Sequence, residues 1–299
     1  MTAATRTQEP INWQAVYKEA LDIFVRYLRI PSVNPPGNEA PAARFLGSLV
    51  EAAGVSCEYI ETEPNREAVV ARLKGDGSKG TLMLGNHLDV VPVEADFWDM
   101  PPFEGVIKDG FVYGRGAVDM KGAGVMQLMA FLLLARRGTP LKRDVINTLN
   151  VTTIHAGTKI NVIPALSEAT LDCRLLPGAD AEEWRQQVID RIDDPRIEVS
   201  FANFRSETKE CDWDTELFHV IQQVVSQAME DAVVLPTMTV GGTDNRFLRD
   251  RGIPAYGFIP VLLSADEAAG FHGNNEKLSI ENLNLGCELT YEVVRRFCS

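Results

Sequence analysis

An apolar run from Thr81 to Gly85 breaks off into Asn86-His87-Leu88-Asp89, and a glycine-rich stretch, Gly114-Arg-Gly-Ala-Val-Asp119-Met-Lys-Gly122, opens into the apolar segment Gly122–Arg136. The first run has the length and composition of a buried strand, and the second that of a helix. A strand and a helix that both need burial require a layered fold, with chemistry confined to the loops at their ends. His87 and Asp89 stand just past the strand. Their spacing of two directs both side chains to one side of an extended chain. Asp119 sits in the loop that enters the helix. An imidazole and a carboxylate at such mouths are the ligand types that Zn²⁺ takes in a catalytic site.

The rest of the chain repeats the alternation. Asn12 can cap a helix running to about Arg29, with Val16, Ala20, Ile23, Phe24 and Tyr27 at helical spacing, and Ile30-Pro-Ser-Val-Asn-Pro-Pro-Gly37 stops it. A second helix, about Ala40–Ala53, ends at Gly54. Strands are expected near Val55–Ile60, Ala68–Leu73 and Thr81–Gly85. Asp144–Ile154 reads as one long β-rich stretch, followed by a strand near Ala169–Leu175, a helix near Ala181–Ile192 and a strand near Ile197–Phe204. Helices then return at about Thr215–Glu230, Asp244–Arg251 and Ser279–Arg296, with a strand at Ala255–Val261 between the last two.

Several classes of function are excluded. A net charge of −13 repels nucleic acid and anionic membrane alike. The five cysteines are widely spaced and contain no C-x-x-C pair, which argues against a disulfide framework or a thiolate zinc site and for a reducing cytoplasm. The start lacks the apolar core of a signal peptide, and the longest apolar stretch, near Val125–Ala135, is too short to span a bilayer. Gly114 and Gly116 suggest a dinucleotide loop, but the third glycine of that pattern is Asp119 and no strand immediately precedes. No G-x-S-x-G elbow supports serine hydrolase chemistry. His155 and His219 have no ligand-like surroundings and read as structural or solvated. Gly242-Thr243-Asp244 reads first as a turn and helix start.

Around the two loops the sequence resembles the co-catalytic zinc hydrolases that include aminoacylase, glutamate carboxypeptidase, succinyl-diaminopimelate desuccinylase and carboxypeptidase S. Phe97-Trp98-Asp-Met-Pro-Pro102-Phe103, Asn161-Val-Ile-Pro164, Asp172-Cys-Arg174, Gly241-Gly242-Thr243-Asp244 and Gly252-Ile-Pro254 look like that family's landmarks in that family's order. The resemblance implies that His87 binds one zinc, that Asp89 orients His87 as a catalytic residue, and that Asp119 bridges two zincs. His272, in Gly270-Phe-His-Gly-Asn-Asn-Glu276, matches the ligand of the second zinc. It implies a three-layer α/β/α catalytic domain of the zinc-peptidase kind with an inserted ferredoxin-like α+β lid, Co²⁺ or Mn²⁺ as possible alternatives to two Zn²⁺ ions, and a small amide or peptide as substrate.

One family feature is missing. Members carry a Glu-Glu pair, general base then zinc ligand, followed by a further acidic ligand and the first half of the lid. Here Leu141-Lys-Arg-Asp-Val-Ile146, which looks like the strand leading to that pair, runs directly into Asn147-Thr-Leu-Asn-Val-Thr-Thr153, which looks like a middle strand of the lid. No glutamate occurs between 137 and 160. Glu39, Glu104 and Glu276 stand near the motifs, and nothing in the sequence gives them the missing roles. The reading is therefore a family member with an internal deletion at Ile146–Asn147. Its expected organisation is a first catalytic part at 1–146, a partial lid at 147–206 and a second catalytic part at 207–299. An impaired amidohydrolase, dimerising through the edge of its lid, is the expectation. A non-catalytic family member that binds a ligand or partner is the alternative.

Overall fold

The computed structural model describes residues 9–150, 178–200, 210–239 and 241–299. Asn12 caps α1 (Trp13–Leu28) through its side chain, and α2 (Ala40–Ala52) starts with Pro41 in its first turn. The strands β1 (Cys57–Glu63), β2 (Arg66–Leu73) and β3 (Leu82–His87) follow, then the short β4 (Val106–Lys108) and β5 (Phe111–Tyr113). Next come α3 (Lys121–Arg137), β6 (Val145–Asn150), α4 (Ala181–Ile192), α5 (Glu216–Ala228), α6 (Asn245–Arg249), α7 (Ala265–Ala269), β7 (Lys277–Ser279) and α8 (Ile280–Cys298).

The main sheet has the order β1-β2-β6-β3, antiparallel except for the parallel pair β6 and β3. α2 packs on β1 and β2, α3 on β3 and β6, and α1 and α8 cover α3. α3 is buried around almost its whole circumference, with Val125, Met126, Leu128, Met129, Phe131 and Leu132 all out of water. Each such large side chain contributes about 1.5–3 kcal/mol on burial, so this helix is the centre of the core. Gly138, at φ 57°, ends it in the left-handed conformation that glycine adopts without strain.

β6 runs without interruption across Ile146 and Asn147, where the sequence pattern changes. Residues 147–150, expected to open the lid, thus extend a strand of the main sheet, with Leu84 opposite Asn147 and His87 opposite Asn150. Asn147 and Thr148 are buried in the sheet, and among the described residues Asn147 Oδ1 and Thr148 Oγ1 have no hydrogen-bond partner.

Two compact units emerge. One comprises 1–156, 220–232 and 259–299, and the other 157–219 and 233–258. In the second, Asp180 caps α4 by accepting from the Glu182 and Glu183 amides, and Tyr256 Oη donates to the Asp212 carbonyl at 2.7 Å. The expected strand at Ala255–Val261 does not form, and 197–200 are not strand either. Pro254 and Pro260 bracket the first of these and remove amide donors that a ladder needs. Asn161–Pro164, Asp172–Arg174, His155 and the strand at Ala169–Leu175 lie outside the described residues. Among those described, no helix is long and apolar enough to cross a membrane.

Candidate metal centre

β3 delivers His87 as its last residue, at the carboxyl end of a strand that runs parallel to β6. Such ends are where α/β sheets place ligands. Just beyond, Val33 and Val90 form a parallel bridge, and the Ser32 hydroxyl donates to the Leu88 carbonyl at 2.6 Å. These contacts hold Asp89 under His87. The ring nitrogen Nδ1 lies 3.0 Å from the Asp89 carbonyl oxygen and 3.3 Å from its carboxylate Oδ1, while Asn34 Nδ2 donates to Asp89 Oδ2 at 2.9 Å. The loop at 30–37, which the sequence marks only as a helix stop, is therefore a support of the site. It is anchored in turn by Glu39, fully buried and paired with Arg66 at 3.0 Å.

Asp119 ends the glycine-rich loop immediately before α3. Its Oδ1 lies 3.1 Å from His87 Nε2, and its Oδ2 lies 2.7 Å from His272 Nε2. The second of these partners comes from 153 positions further along the chain. The reason is the small sheet of β4, β5 and β7. β7 pairs antiparallel with β5, placing Tyr113 opposite Lys277, so the loop before β7 lies against the loop after β5. Each sequence-predicted site residue thus enters one cluster, Asp89 behind His87 and Asp119 between two imidazoles. His272 is the most open, with its side chain 56% exposed against 19% for Asp119.

Electrostatics follow from this packing. Burial works to lower the His87 pKa, but hydrogen bonds and charge from Asp119 and Asp89 outweigh it and push it up to about 10. Burial works to raise Asp119, and His87 followed by His272 overcome it, holding the carboxyl below its ordinary value. Lys121, from the same motif, is fully buried. It donates to the carbonyls of Tyr27 at 3.1 Å and Ile30 at 2.7 Å, and burial pushes its ammonium down to about 7 against the opposing charge of Glu276. It pins the start of α3 to the end of α1 and faces away from chemistry.

The donor types suit divalent metal. With Nδ1 of His87 engaged by Asp89, the neutral ring carries its proton there and presents the Nε2 lone pair toward Asp119. One carboxylate with a different imidazole on each oxygen is a bridging arrangement. The number of donors is smaller than usual, since each of two ions would have one private imidazole and the shared carboxylate, against three protein ligands in a typical catalytic zinc site. Among the described residues no group of three or more His, Cys, Asp or Glu side chains has the spacing of a closed metal site. Nor do Glu39 and Glu276 fill the deficit. Glu39 is committed to Arg66, and both oxygens of Glu276 are taken by backbone amides and Arg115. Asn34 and Glu276 are the supports that sequence reasoning did not assign. The only signal for either was proximity to a motif.

The sequence profile described as "Peptidase family M20/M25/M40" matches residues 83–296. Among curated proteins, the chain is similar to aminoacylase-1 of Sus scrofa, 36% identical over 130 residues, which is 42% of this chain and 31% of that protein. It is also similar to succinyl-diaminopimelate desuccinylase of Parvibaculum lavamentivorans, 40% identical over 125 residues, 40% of this chain and 31% of that one. The aligned segments thus span about a third of the length of these relatives. Among solved structures, a family M20 metallo-carboxypeptidase of Sulfolobus solfataricus aligns at a TM-score of 0.67 and 15% identity, covering 93% of this chain and 99% of that one. Human carnosine dipeptidase 1 aligns at 0.67 and 13%, covering 96% and 99%. At those identities the likeness is one of fold.

Proposed function

The chain belongs to peptidase family M20/M25/M40, and from that membership we propose that it is a metal-dependent amidohydrolase scaffold for N-acyl amino acids or small peptides whose catalytic site is impaired. The observation that carries the reading is the meeting of His87, Asp119 and His272 on one carboxylate. On this reading His87 and His272 would each hold one metal ion, Asp119 would be shared between the two, and Asp89 would keep His87 in the tautomer that binds. A bound divalent ion supplies a Lewis acid and lowers the pKa of a coordinated water. Turnover also needs a base to take that water's proton and return it to the leaving amine. The family's Glu-Glu segment would supply it, and 137–160 contain no glutamate. Loss of a general base alone costs about 10² to 10⁴ in rate, and a missing ligand acts on the same transition state, so the two do not simply multiply.

No disulfide joins the four described cysteines, which suits a reducing cytoplasm. A lid lacking one strand and one helix leaves an edge for which a second copy of this chain is the natural partner. The alternative, a non-catalytic member acting through ligand or partner binding, is separated from this reading by counting metal per chain. Purified protein with added Zn²⁺, Co²⁺ or Mn²⁺ is assayed on a panel of N-acetyl amino acids beside its His87→Ala variant. Slow or absent turnover is expected. Metal-dependent turnover at ordinary enzyme rates, abolished by His87→Ala, would refute the impairment. Absent turnover in a chain that holds no metal would favour the alternative.

A further inference from the structure

Glu276 is almost entirely buried, yet it is a carboxylate, and it touches no metal-binding atom. Its Oε1 accepts from the amides of Val118 at 2.8 Å and Asp119 at 3.0 Å. Its Oε2 accepts from the Gly116 amide at 2.9 Å and from Arg115 Nη1 at 2.8 Å. Its own carbonyl accepts from the Gly114 amide at 2.9 Å. The side chain fills a cradle formed by the backbone of the Asp119 loop, with the guanidinium of Arg115 balancing the buried charge. Four residues earlier in the same segment is His272.

The turn that carries His272 is strained. His272 and Asn275 both have φ 57°, a left-handed conformation that non-glycine residues adopt only when their surroundings impose it. Asn275 is held by Asp99, whose amide donates to Asn275 Oδ1 at 2.7 Å and whose Oδ2 accepts from Asn275 Nδ2 at 3.0 Å. Glu276 supplies the other anchor and ties it to the opposite half of the site. We propose that Glu276 is a positioning residue that fixes Asp119 and His272 relative to each other, so that metal affinity depends on a carboxylate that never meets the metal. The proposal rests on the metal reading above.

The test compares wild-type chain with Glu276→Gln. The amide has one acceptor atom where the carboxylate has two, so two of the four donors lose their partner. Supporting groups of this kind typically change metal affinity about 10- to 100-fold. Calorimetric titration with Co²⁺ or Zn²⁺ alone should show a loss of that size. Hydrogen exchange on the metal-free proteins should speed up at the amides of 116–119 and around 271–275, with α1 unchanged. Should Glu276→Gln not fold, Glu276→Asp keeps the charge opposite Arg115 while falling one methylene short of the cradle, and it should show the same pattern to a smaller degree. Metal affinity within twofold of wild type in a folded variant would overturn the proposal, even if its melting temperature fell, because a purely structural brace behaves that way. If the wild-type chain binds no metal, the metal reading fails. The exchange measurement then decides alone, and unchanged protection at 116–119 and 271–275 overturns the positioning role.

Discussion

Replacing Thr148 by valine should stabilise this protein. Thr148 is in the interior of β6, paired with Val70 on one side and Gly85 on the other, and is 9% exposed. Its hydroxyl oxygen is shut off from water and has no hydrogen-bond partner among the described residues. A buried polar group left unpaired costs about 1–3 kcal/mol. Valine keeps the β-branch, and with it the strand preference, at nearly the same volume. It also exchanges the hydroxyl for a methyl whose burial is favourable by about 0.8 kcal/mol. Allowing for incomplete relief of the penalty, Thr148→Val should gain about 1–2 kcal/mol, or roughly 2–8 °C in Tm for a domain of this size. Urea denaturation should show a higher midpoint at unchanged slope. The converse substitution, Val145→Thr at a fully buried position of the same strand, should lose about 1–3 kcal/mol. Equal or lower stability of Thr148→Val would refute the reasoning and show that the hydroxyl has a partner worth more than the methyl.

In metal-free protein the folded His87 pKa, pushed up to about 10, lies above its unfolded value of about 6.5, so its contribution to stability is complete below that lower value and is lost as pH rises through the upper one. Lys121, pushed down to about 7 by burial, contributes in the opposite sense over the same range, so the fall is read as the difference between wild type and His87→Gln in denaturant titrations in chelator at pH 6, 8 and 10; metal binding at pH 8 should release about one proton, read by calorimetry in buffers of different ionisation heat. Light scattering at high protein concentration should give twice the 33.0 kDa chain mass, and a monomer would count strongly against pairing through the lid edge.

Much of the cluster was legible because imidazole and carboxylate side chains in these motifs have few substitutes. His87, Asp89 and Asp119 announce themselves by spacing, and the helices α1, α2, α4 and α8 by periodicity and caps. His272 needed the family resemblance, since only pairing of β7 with β5 brings it to Asp119, and three-residue strands leave no periodic signal. Glu276 was hidden for a related reason. Its partners are backbone amides, which have no sequence identity, so nothing distinguishes it from a surface glutamate until the loops are in place. The strand expected at Ala255–Val261 failed because apolar content was read without giving weight to the prolines at either end. At Ile146–Asn147, where the sequence resembles first a catalytic strand and then a lid strand of the family, the backbone continues as β6. A strand is defined by its neighbours, and β2 and β3 impose their ladders on whatever sequence enters between them.

The burial of α3 bears on how the chain comes off the ribosome. This helix has no polar face to turn outward, and one of its main covers, α8, begins at Ile280, more than 140 residues downstream. At about 5–20 residues per second, synthesis of the intervening stretch takes roughly 7–30 seconds. Through most of that interval α1, β3 and β6 can lie beside this greasy cylinder, and the side that α8 covers stays bare. Nascent chains in that condition are natural clients for holding chaperones. Yield in a foreign host should depend more on translation speed and chaperone supply than on the stability of the finished protein.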